Sequence, residues 1–173
     1  MATPLQSTPT REAAAGGEPQ QLDERELRAW RGMLRVHTTL TKALDAELEA
    51  EHGLPLSSYE VLLHLDDADD RRMRMSDLAA TVILSRSGLT RLVDRLEREG
   101  LIARESCPSD ARGAFATLTP AGRRKLAAAR ATHLRGVRSM FLGHFSDEEL
   151  ELLGSAWERL LPGAVNAPGP SCG

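Results

Sequence analysis

Cysteine is scarce. Cys107 and Cys172 are the only two in 173 residues, too few for a disulfide scaffold and without metal-ligand spacing. Aromatic residues make up only 3% of the chain, so a core has to be built from Leu, Ala, Val and Ile. No run of about 18 apolar residues occurs, which excludes a membrane-spanning helix. The stretch from Met1 to Gln21 lacks the apolar segment of a signal peptide. The histidines, His37, His52, His64, His133 and His144, are scattered, with no HxxxH and no carboxylate cluster to make a metal site. A Gly-rich phosphate loop, G-x-S-x-G and HExxH are all missing, and no acid/base pair stands out, so nothing points to an enzyme or a cofactor. The expectation left is a soluble cytoplasmic domain without metal.

What is present is patterned. Residues 1–21 and 162–173 are rich in Pro and Gly with little to bury, and are expected to be disordered tails. Between them, residues 22–161 suit one domain. Leu27, Trp30, Leu34, His37, Thr41, Leu44 and Leu48 recur at alternating spacings of three and four, predicting a helix of about seven turns that Gly53 and Pro55 end. A helix that long in so small a domain exceeds what its own chain can cover, so its stripe is expected to meet a partner.

Ser57 to Glu60 has the pattern of a capping box, opening a short helix through Val61, Leu62 and Leu65. Ser76 is read as the cap of another, running from Asp77 to Val82. Ser85 is read as the cap of the most regular helix, with Leu89, Leu92, Val93 and Leu96 at i, i+3, i+4 and i+7 and Gly100 closing it. The period then changes. Residues 101–105 and 114–118 read as two strands, with a long, turn-rich tip between them. Thr119-Pro120 starts a further helix to about Gly143. Ser146 to Glu149 is a second capping box, ahead of a last apolar face of Leu150, Leu153, Trp157, Leu160 and Leu161.

Two short helices across a turn, followed at once by a hairpin, define a winged helix-turn-helix. The fold class expected is mainly α with a small β-hairpin wing, its N- and C-terminal helices forming a dimerisation bundle. On the second short helix, Ser87, Arg91 and Arg98 project opposite the apolar stripe, flanked by Thr90 and Arg95. Hydroxyl and guanidinium groups so placed can contact phosphates and base edges in a major groove. Asp94 sits amid this face and would repel phosphate unless paired, with Arg91 or Arg98 as the expected partner. From Arg71 to Lys125 there are 12 basic and 6 acidic residues, a balance of +6 in a chain whose total is −3. Charge segregated in this way is the footprint of a nucleic-acid partner.

The run from Leu84 through Ser85, Arg86, Ser87, Thr90, Arg91, Asp94 and Gly100 to Ile102 resembles the recognition helix and first wing strand of the MarR family of bacterial regulators. Asp110-Ala111-Arg112-Gly113, followed by Leu118-Thr119-Pro120-Ala121-Gly122, is similar to the family's wing signature and its next helix. The resemblance implies dimerisation helices at 22–52 and 120–161 flanking a winged helix-turn-helix at 57–119. It implies a homodimer interlocked through Leu27, Leu34, Leu44, Leu150, Leu153, Trp157 and Leu160, binding a pseudo-palindromic double-stranded operator. Ser85, Arg86, Ser87, Thr90, Arg91, Arg95 and Arg98 would contact DNA. Arg112 would enter the minor groove, with Asp110 holding its loop, or a neighbouring arginine, in position. A small aromatic or anionic effector would sit between the dimerisation helices and the DNA-binding part, near Trp30, His37, Tyr59 and His64, and release a repressor. Packing alone would also explain those four side chains. Alternatives are an activator, a redox-responsive regulator using Cys107 (its pKa lowered by Arg104 and Arg112), and a winged-helix dimerisation module without DNA.

Overall fold

The computed structural model describes residues 21–82, 86–107 and 110–163, and of residues 86, 106, 107 and 110–113 the backbone alone. The two expected tails therefore fall, but for residues 21, 162 and 163, outside the described residues.

Helix α1 spans Glu24–His52, about 43 Å at 1.5 Å per residue. Asp23 opens it with a capping box, its carboxylate accepting from the Glu26 N–H at 2.8 Å while the Glu26 carboxylate accepts from the Asp23 N–H at 2.8 Å. Gly53 closes it at φ 55, a left-handed conformation that glycine adopts without a Cβ penalty.

Helix α2, Leu56–Asp67, begins without the capping box expected at Ser57: Pro55 is the N-cap and no side-chain cap bond forms. The Leu56 N–H instead donates to Asp45 Oδ1 on α1 at 2.8 Å, and Ser58 is fully buried. A carboxylate distant in sequence has taken the task of the local hydroxyl.

Strand β1, Arg72–Arg74, is three residues long, too short to show in the sequence pattern. Helix α3, Met75–Thr81, has Arg74 at its N-cap, so Ser76 lies inside the helix instead of capping it. Helix α4 spans Arg86–Arg98, and its expected cap, Ser85, lies outside the described residues.

Gly100, at φ 70, turns the chain into the wing. Strands β2, Ile102–Cys107, and β3, Asp110–Leu118, pair antiparallel with an irregularity between Ser106 and Cys107. Both are longer than expected, so the tip between them is shorter. The sheet order is β1-β3-β2.

Thr119 caps α5, Pro120–Met140, its hydroxyl accepting from the Gly122 N–H at 3.0 Å, with Pro120 in the first turn as expected. The helix stops at Met140, short of Gly143, and a 3₁₀ turn at Leu142–His144 leads to α6, Asp147–Leu160, opened by the Ser146–Glu149 capping box.

The core gathers Val61, Leu62 and Leu65 of α2, Leu78 of α3, Leu89, Val93 and Leu96 of α4, Ile102 of β2 and Leu126 of α5. Gly122 locks α5 onto it, since a Cβ there would stand 2.1 Å from the Leu101 carbonyl oxygen. Gly122→Ala is accordingly expected to lower stability by about 1–3 kcal/mol, read as an earlier urea-unfolding midpoint, because backbone cannot step aside as a flexible side chain can.

At the other end, α1 and α5 are clamped through buried Thr132. Its hydroxyl donates to Glu51 Oε2 at 2.7 Å, lies 2.9 Å from His52 Nε2, and is flanked by the Arg135–Glu51 bond at 2.6 Å. The Thr132 hydrogen bond, helped by Arg135 and His52, holds the Glu51 carboxyl below the ordinary carboxylate range.

Candidate nucleic-acid interface

The periodicity of α4 decides what it presents. Leu89, Leu92, Val93 and Leu96 are buried, which turns Ser87, Thr90, Arg91 and Arg98 to solvent. Two arginines lie along the helix surface: Arg91 Nε donates to the Ser87 carbonyl at 3.3 Å and Arg98 Nε to the Asp94 carbonyl at 3.2 Å. These bonds restrain the long side chains while leaving most guanidinium donors outward, which reduces the entropy cost of meeting a phosphate or a guanine edge.

Asp94 is paired, though not with Arg91 or Arg98. Arg104, from β2, donates to Asp94 Oδ1 and, at 3.4 Å, to the Thr90 carbonyl. Its Nε stands 3.7 Å from Glu97 Oε2, and its backbone N–H donates to Glu97 Oε1 at 3.2 Å. One arginine of the wing thus spans two turns of α4 and neutralises acids that would face phosphate. In the sequence Arg104 counts only as local charge and as a neighbour of Cys107, because its partners on α4 become visible only once strand and helix are folded together.

Arg95 points elsewhere. Its guanidinium donates to buried Ser58 Oγ of α2 at 2.6 Å and lies 3.9 Å from Glu99, so it braces α4 against α2. Ser85 and the side chains of Arg86, Asp110, Arg112 and Cys107 lie outside what is described.

The four side chains expected around an effector do not share one cavity. His37 lines a cleft of about 380 Å³ between α1 and α2, with Thr41, Lys42, Asp45, Leu56, Ser57 and Glu60. Trp30 stands earlier on α1, 52% exposed. Tyr59 is buried against α5, its ring 4.6 Å from that of His133, and His64 is half-buried. Burial pushes the Tyr59 hydroxyl's pKa up and that of His133 down; it also lowers that of His64, against the pull of Asp67. Tyr59 Oη, His133 Nδ1 and Asp67 Oδ2 are buried without a hydrogen-bond partner. In the sequence His133 is only one of the scattered histidines. Among the described residues, no group of three or more His, Cys, Asp or Glu could hold a metal ion.

Of the seven residues expected at a subunit interface, three are exposed in the single chain and four are partly buried. Along the whole of α1 only Leu48 is buried, and α6 has no buried residue. Leu34 and Leu160 are 45% and 51% exposed, and Trp157 is exposed as well. Leu161, the last of the expected apolar face, is exposed too, and Val36 and Leu152, which the spacing of three and four does not assign to it, add to this surface. Leu27, Leu150 and Leu153 are half-buried, and Leu44 lies against Gly136 of α5 in the same chain. No helix among the described residues is long and apolar enough to cross a membrane.

Helices α3 and α4, with the three-stranded wing clamped to α4, have the layout of a winged helix-turn-helix fold. The model of the MarR family matches residues 52–113. AbsC, a MarR family transcriptional regulator from Streptomyces coelicolor, is 37% identical with a TM-score of 0.76, covering 80% of this chain and 93% of its own. Sco3205, a MarR family regulator from the same organism solved in complex with DNA, is 34% identical with a TM-score of 0.77, covering 88% and 98%. The transcriptional repressor YetL of Bacillus subtilis is 30% identical over 115 residues, which are 64% of this chain and 68% of YetL. The chain belongs to the MarR family of transcriptional regulators, and its relatives are regulators, not enzymes.

Proposed function

We propose that two copies of this chain form a symmetric dimer that reads a pseudo-palindromic duplex in the cytoplasm, and that it represses transcription until a small ligand releases it. The observation that carries the reading is the exposed Ser87–Thr90–Arg91–Arg98 face of α4, with Asp94 taken up by Arg104 of the wing.

In this reading α4 lies in the major groove, with Ser85, Arg86, Ser87 and Thr90 near phosphates and Arg91 and Arg98 at phosphates or base edges. Arg112, with Asp110 beside it, enters the adjacent minor groove. Arg95 acts as a positioning residue through Ser58. Two-fold symmetry sets the two α4 helices about one DNA turn apart. Binding to DNA is supported by the DNA-bound relative, and repression by the repressor from Bacillus subtilis.

The effector is an aromatic or anionic small molecule. The cleft beside His37 and Lys42 includes Ser57, the neighbour of the serine that holds Arg95. A ligand there that favours one setting of α2 shifts the population of DNA-competent dimers by as much as its affinity differs between the two states.

Arg91→Ala is the test of the reading face. Binding to a selected operator should fall by a factor of about 5–150 relative to random duplex, the equivalent of one base contact of about 1–3 kcal/mol. An equal loss on both duplexes would make Arg91 a phosphate contact, and no loss on either would remove the face from the interface.

A further inference from the structure

Strand β1 sits at the edge of the wing sheet, and its first and third residues share a face because side chains alternate along a strand. The register sets Arg72 opposite Thr117 and Arg74 opposite Phe115. Both guanidinium groups converge on one ring: Arg72 Cζ is 4.1 Å and Arg74 Cζ 5.2 Å from the Phe115 centroid. Met73 and Arg104, both paired with Ala116, occupy the opposite face, from which Arg104 reaches α4. The stack of two arginines on Phe115 therefore lies on the face of the wing turned away from α4.

Glu105, opposite Phe115 on β2, accepts from the Thr117 hydroxyl at 3.2 Å. Arg71, next in chain to β1, is taken up by Asp66 at 3.1 Å. A guanidinium laid on an aromatic face keeps its N–H edges outward and its torsions restrained, the arrangement that meets phosphate oxygens in a fork.

We infer that Arg72 and Arg74, braced by Phe115, grip the sugar–phosphate backbone of duplex DNA outside the wing, so that each protomer's footprint extends past the base pairs met by α4 and the wing tip. The inference rests on the duplex-reading function proposed above. Charge complementarity with the +6 segment to which these residues belong, and their continuity through β3 with the wing tip, favour DNA over an acidic protein.

The test uses the full chain and fluorescence anisotropy over a salt series. Two duplexes share the inverted repeat recovered by selection from genomic fragments; one ends at the repeat, and the other carries a further turn of DNA on each side. Wild-type protein should bind the longer duplex with the steeper salt dependence. Arg72→Gln with Arg74→Gln should reduce the slope of log K against log salt by about 0.9 for each phosphate that is no longer neutralised, on the longer duplex only. Lysine at both positions should keep most of the slope, and Phe115→Leu, which removes the platform and leaves the charges, should give up part of it. Equal slopes for wild type and the glutamine pair on the longer duplex, with Arg91→Ala still weakening binding, would overturn the grip and leave the duplex reading intact. Failure of the wild type to bind either duplex would overturn both.

Discussion

Glutamate at both Leu34 and Leu160 is expected to convert the protein to monomers and to weaken operator binding by roughly 10²- to 10⁴-fold. The two leucines are 45% and 51% exposed in the single chain, so a partner has about half of each side chain left to cover. Covering a whole leucine contributes about 1.5–3 kcal/mol. Symmetry repeats each substitution in the second protomer, so the half-covered four amount to about 3–6 kcal/mol. Converted at about 1.4 kcal/mol per tenfold, that is the predicted loss, and burying the new carboxylates would deepen it. The buried core lies in α2 to α5 and takes only Leu48 from α1, so the monomers should keep their helical circular dichroism. Sedimentation at micromolar concentration gives the state directly. A double variant that stays dimeric and binds as before would place the interface elsewhere.

The second large effect is expected at Arg104. Removing its guanidinium leaves Asp94 and Glu97 unneutralised on the helix proposed to face phosphate, and unties β2 from α4. Both side chains of the Arg104–Asp94 pair are partly open to water, at 30% and 45%, so the pair is weaker than a buried one, and a loss of about 1–2 kcal/mol is reasonable after screening. Arg104→Ala should thus weaken operator binding about 5- to 30-fold. Asp94→Asn in the Arg104→Ala background should recover part of that, because the repelling charge is gone, whereas Asp94→Asn alone should change little. A double-mutant cycle in gel-shift titrations isolates the coupling. Strictly additive effects would mean that Arg104 does not act through Asp94.

Local signals are legible in the sequence. The i, i+3, i+4, i+7 leucines with Gly100 behind them specify α4, Thr119-Pro120 specifies the start of α5, and Ser146 to Glu149 closes as a capping box. Each depends on residues within a turn or two of one another. What escapes depends on distant parts of the chain. Asp45 displaces Ser57 as the group that meets the start of α2, and β1 exists because Phe115 and Thr117 lie across from it, not because three residues make a strand pattern. The same holds at the site. The outward face of α4 follows from its periodicity, but the partner of Asp94 is not the expected one, because Arg104 reaches it from the next element. Arg95 looks like a groove residue on the helical wheel. Its bond to Ser58 shows why a wheel cannot tell a flanking arginine that reaches DNA from one that reaches the neighbouring helix.

The most direct measurement is selection of genomic fragments by the purified protein, followed by a salt titration and sedimentation of the complex on the enriched duplex. A dimeric reader should enrich an inverted repeat, place two chains on each repeat, and bind with an affinity that falls steeply with salt as arginines release counterions from phosphate. A protein that sediments as a dimer yet enriches no sequence, and binds no duplex at low salt, would contradict that reading.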